Sequence, residues 1–112
     1  MAATGSVTIT DVGGAAAAVF AFTLKHKQVA VTNYHATQTL FVRPAVGLTQ
    51  AAATATATAN PAVTTGADFN YTVPFGKRVT IFKSSRKQFV AMSMIASGAA
   101  TSFTAEGTDW QD

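Results

Sequence analysis

The stretch DFNYTVPFGKRVTIF, residues 68–82, decides the fold. Phe69, Tyr71 and Val73 alternate with Asn70 and Thr72, a period of two. Pro74-Phe75-Gly76 interrupts the pattern, and Val79 and Ile81 resume it with Arg78 and Thr80 between. Successive side chains of a strand point to opposite faces, so this period predicts two half-buried strands joined by a short Pro/Gly turn. Phe69, Tyr71, Val73, Val79 and Ile81 are expected on the inward face. Phe75, Lys77 and Arg78 are expected at the turn, where they can touch a neighbour.

The same grammar extends both ways along the chain. Residues 6–10 read as a first strand, followed by a turn at Asp11-Val12-Gly13-Gly14. Residues 19–24 read as a second, with Phe20, Phe22 and Leu24 on one face. Lys25-His26-Lys27 reads as a tight polar turn, and residues 28–33 as a third strand. A loop over 34–38 leads to a fourth strand over 39–43, ending at Pro44. After the central pair, a basic turn at 83–87 precedes a strand over 88–96. Its near-continuous apolar run predicts burial on both faces for part of its length. Ser97-Gly98 turns into a last strand over 100–106, anchored by Phe103, and residues 107–112 form a tail. About eight short strands with regular turn signals predict an all-β, single-domain antiparallel β-sandwich, jelly-roll-like. No segment has convincing helical periodicity. Residues 1–17 are read as an N-terminal arm. Residues 46–66, of which 50–66 read QAAATATATANPAVTTG, are read as a long Ala/Thr-rich loop that carries at most one short strand. A connection of that length inside a compact domain is often functional.

Composition narrows the class of function. At 112 residues the chain is one domain, and 48% hydrophobic residues suffice for a core. Charged residues make up only 12%, about half of the ~25% typical of soluble domains. A neutral Thr/Ser/Ala surface is poorly protected against self-association, which suits a protein that lives inside an assembly. With no cysteine, the fold must hold by packing alone. The first ten residues show no basic segment followed by an apolar one, so no secretory signal is expected. No apolar run approaches the ~20 residues that span a bilayer, so no membrane partner is expected.

Catalytic chemistry finds no footing. His26 and His35 are the two histidines, both expected in exposed loops, with no cysteine or carboxylate cluster beside them, so no metal is expected. No serine sits in a nucleophile elbow, no carboxylate pair shares an apolar setting, and Gly13-Gly14 lacks the lysine of a phosphate loop. The expectation is a non-enzyme without cofactors. Candidate protein-contact residues are Phe75, Lys77, Arg78, Lys83, Arg86, Lys87 and Trp110. The turn at 83–87 either faces an acidic partner or is simply solvated. Trp110 is either a lid on the domain's own core or an anchor on a neighbour. Phe75 is either tucked under its turn or exposed as a contact. Basic residues interleaved with Phe75, Phe82 and Phe89 also fit an OB-like barrel that binds single-stranded nucleic acid. A net charge of +3 argues against that partner.

A resemblance adds to this reading. VAVTN, then TLFVR followed by a Thr/Ala segment, then FNYTVPFGKRVTIF, then FVAMSMIASGAATSFTAEG and Trp110 occur in that order. Together, over residues 28–110, they resemble small virion proteins of tailed bacteriophages. The resemblance implies a capsid decoration (cement) protein: a β-sandwich, made in the host cytoplasm, that binds the outer capsid surface and stabilises it. Its implied partners are the major capsid protein and further copies of itself, as a dimer or trimer. A head–tail junction or tail component of the same virion is the alternative. The resemblance supplies no catalytic residues.

Overall fold

A computed structural model of the chain describes residues 6–12, 17–62, 71–83, 87–98 and 101–109. At residues 6–11, 23, 24, 82, 108 and 109 it describes backbone alone. Seven strands and one helix follow in the order β1 (Ser6–Val12), β2 (Ala18–Asn33), β3 (Leu40–Gly47), α1 (Gln50–Ala59), β4 (Tyr71–Val73), β5 (Arg78–Lys83), β6 (Phe89–Ala96) and β7 (Thr101–Asp109). All strand pairs are antiparallel, as the alternation predicts. The expected two-layer packing takes the form of one curled, nearly barrel-shaped sheet. Its order is β1-β7-β2-β6-β3-β4, with β5 also paired to β2.

The 16-residue β2 organises this sheet. Its first half pairs with β6, from Ala18 opposite Met94 to Lys25 opposite Phe89. Its second half pairs with β7 along one edge and β5 along the other. β5 and β6 therefore lie end to end beside a single strand. The expected turn at Lys25-His26-Lys27 is corrected by this pairing. The strand continues through it, with register shifts on either side, between Ala21 and Lys25 and between His26 and Gln28. Such bulges bend and twist a strand without ending it. Two expected strands thus merge, and the eight anticipated become seven among the described residues. His26 is corrected too: it is fully buried, not exposed in a loop.

The central stretch contains its turn but not a paired hairpin. Lys77 N–H donates to Pro74 O at 3.1 Å, and Gly76 takes a φ of 68°, which suits a residue with no Cβ. The two strands then diverge. β4 pairs with β3, Leu40 opposite Val73, while β5 pairs with β2, Val31 opposite Val79. Pro74–Lys77 is therefore an arch between distant parts of the sheet. Val73 and Ile81 enter the core as expected, and Val79 packs against it. Tyr71 does not, because it opens the short end strand β4 and stays exposed. Phe69 lies outside the described residues.

The Ala/Thr segment holds a helix where a loop was expected. Thr49 caps it, its hydroxyl accepting from Ala52 N–H at 3.0 Å. The hydroxyls of Thr54, Thr56 and Thr58 donate to the carbonyls of Gln50, Ala52 and Thr54 at 2.9, 3.0 and 2.8 Å. Threonines that bond four residues back fit inside a helix, although they favour strands elsewhere. Asn60 closes the last turn with its backbone and side-chain N–H groups on Thr56 O, and Pro61 follows. Ala53 and Ala57, four apart on one face, pack on Ala91 of β6 with Val19, Ala21, Ala45 and Phe89 around them. The opposite face of β6 supplies Val90, Met92, Met94 and Ala96 to the main core, with Phe22, Val29, Val31, Leu40, Val42, Ile81 and Phe103. Helix on one side and core on the other give β6 the two-sided burial its apolar run predicts.

Three strand ends also move. β1 continues through Asp11 and Val12, because β7 pairs with it that far, to Thr101 opposite Val12. β3 continues through Pro44 to Gly47. β4 reaches only Leu40–Val42, so Pro44 lies past it, on a stretch paired with β6 alone, where a missing N–H is tolerated. β7 continues through Gly107 to Asp109, paired with β2, where a tail was expected.

Candidate functional site

Asn33, the last residue of β2, builds one end of the molecule. It is fully buried, and each of its polar groups has a partner. Its side-chain N–H groups donate to Gln38 O at 2.8 Å and Val73 O at 3.0 Å. Its Oδ1 accepts from His35 N–H at 2.9 Å. Its backbone N–H donates to Lys77 O at 2.9 Å, and its carbonyl accepts from Gly76 N–H at 3.0 Å. One amide thus fastens β2, the 34–38 loop and the arch together. His35 extends the network, with Nδ1 accepting from Thr37 and Gln38 N–H groups at 3.0 and 2.9 Å. It is a loop residue as expected, half-buried and structural in its contacts.

These bonds set Phe75 and Tyr34 side by side in the backbone, one preceding Gly76 and the other following Asn33. Both rings face solvent, at 52% and 54% exposure, so Phe75 is presented and not tucked. Lys77 is exposed beside them. Arg78 is engaged: its guanidinium pairs with Glu106 of β7 across β2.

Lys83 and Lys87 lie at the other end. Lys83 ends β5 opposite Gln28, and Lys87 precedes Phe89, which sits opposite Lys25. The contact residues read from the sequence are therefore not one surface. Phe75, Lys77 and Arg78 belong to the arch end, and Lys83 and Lys87 to the bend of β2. Arg86 and Trp110 lie outside the described residues. Sequence reading missed two sets of partners. Lys25 and Lys27 join Lys83 and Lys87 only because β5 and β6 lie end to end on β2. Tyr34 joins Phe75 only through the Asn33 network; its signal was an aromatic directly after an Asn that ends a strand.

Among the described residues, no three of His, Cys, Asp or Glu gather as a metal site, and no helix is long and apolar enough to cross a membrane. The chain matches no protein-family model, no curated protein and no solved structure.

Proposed function

We propose that this chain is a structural virion protein, a capsid decoration (cement) protein that binds the outside of a phage head in many copies and stabilises it. The observation that carries this reading is the Tyr34–Phe75 tip. Two large rings are held in solvent on backbone that Asn33 ties down, so little freedom remains to be lost on docking. The sparse charge and the ordered motifs from VAVTN to TAEG support the same role. The major capsid protein is the partner of this tip, and self-association into dimers or trimers accompanies it.

Undecorated heads mixed with purified protein test the proposal. Wild-type protein is expected to co-sediment with heads. Phe75→Ala and Tyr34→Ala are expected to weaken that by about tenfold or more each, at unchanged thermal stability. Densitometry against the major capsid protein separates decoration from a head–tail or tail component, because a junction contributes a single ring. A strict monomer that ignores heads overturns the proposal.

A further inference from the structure

Lys25, Lys27, Lys83 and Lys87 are all exposed, and strand register gathers them at the bend of β2. Lys25 lays its ammonium over the Phe89 ring, 5.5 Å from the centroid, which fixes its stem and leaves the head at the surface. The backbone of Asp109 of β7 reaches the same end, opposite His26. Glu106, the one carboxylate among the described side chains, is taken by Arg78 elsewhere.

Beside the lysines lies an opening that the arch creates. Because β4 leaves for β3 and β5 for β2, the strands part around a cleft of about 380 Å³ lined by Tyr71, Thr80, Ile81 and Lys83. Tyr71 is 42% exposed, and Lys83, which also lines the cleft, lies opposite Gln28, the neighbour of Lys27. An aromatic face continuous with a row of lysines is the arrangement that holds single strands: bases stack on the ring and phosphates follow the charges. An acidic protein surface would use the lysines but has no need of the cleft.

We propose that this end binds single-stranded nucleic acid, with Lys25, Lys27 and Lys83 on the phosphates and Tyr71 stacking a base. Net charge understates the site because Lys25, Lys27 and Lys83 converge at this end. The lysines lie at the opposite end of β2 from the Tyr34–Phe75 tip, so the inference stands or falls separately from the decoration reading.

Fluorescence anisotropy of labelled oligo(dT) with the full chain tests it, starting at about 50 mM salt. Three phosphate contacts predict a slope of log affinity against log salt of about −2.1. Lys27→Gln with Lys83→Gln is expected to weaken binding by about tenfold or more and flatten the slope by about 1.4. Tyr71→Leu is expected to weaken binding at unchanged slope, while Tyr71→Phe keeps it. Lys77→Gln, at the far end, serves as the control and leaves binding intact. Absence of binding at low salt with protein in large excess overturns the proposal. So does equal binding of polyglutamate with no effect of Tyr71→Leu, an outcome that assigns the lysines to an acidic protein.

Discussion

The two ends of β2 bury a polar side chain by opposite means. At the arch end, Asn33 is held by hydrogen bonds: two donated, one accepted, and two more through its backbone. At the bend, His26 is held by shape. Its ring stands edge-on to Phe22, with centroids 4.7 Å apart, and lies against Gly107 of β7. A Cβ added at Gly107 would come within 2.5–2.6 Å of three ring atoms. The first arrangement fixes the direction of every group it touches. The second sets the space that a neighbour can occupy. The end stitched by bonds presents aromatic rings, and the end fitted by shape presents exposed lysines.

The largest effect is expected where the bonds are. Asn33→Ala leaves Gln38 O, Val73 O and His35 N–H without their partner and is expected to cost about 3 kcal/mol or more in urea unfolding. A loss below about 1 kcal/mol would mean that water replaces the amide and that the arch is not stitched. Next comes the shape-fitted end. Gly107→Ala is expected to cost about 2 kcal/mol, and markedly less in a His26→Ala background, where the ring is gone. Equal costs in the two backgrounds would show that the ring is not what Gly107 makes room for. Thr49→Ala, which removes the α1 cap between the two ends, is expected to cost about 1 kcal/mol and to lower helical circular dichroism first. Arg78→Ala should cost least, under about 0.5 kcal/mol and less still in high salt, because both members of the Glu106 pair are largely exposed. A larger loss would mean that this surface pair takes part in closing the sheet.

Alternation revealed the strand character of β5, and a near-continuous apolar run revealed that of β6, which is buried on both faces. Three features were hidden for definable reasons. The lysines on either side of His26 make a turn the simplest reading, and only the merged strand shows that the imidazole between them is interior. In the Ala/Thr segment, alternation has period two, yet Ala53 and Ala57 share a helical face. The decisive signals were the Thr49 cap and the high alanine content, which outweigh a β-favouring residue whose hydroxyl can bond within a helix. The turn at Pro74–Lys77 was legible, but the destinations of its two strands were not, since local sequence does not state which neighbours a strand will find. The candidate site inherited that gap. The sequence names Phe75 and the lysines, while their division between two ends depends on pairing with β2.

The reliance of β2 on distant partners sets a timetable for biosynthesis. Its second half needs β5 and β7, and the last residues of β7 leave the ribosome roughly 4–15 s after Asn33 at usual elongation rates. During that interval a 16-residue strand has emerged while the partners of its second half have not. Pairing between nascent chains competes with the native sheet throughout it, and the competition grows with the density of ribosomes on the message. Yield of folded protein should therefore rise when synthesis is slowed by cooling or weak induction.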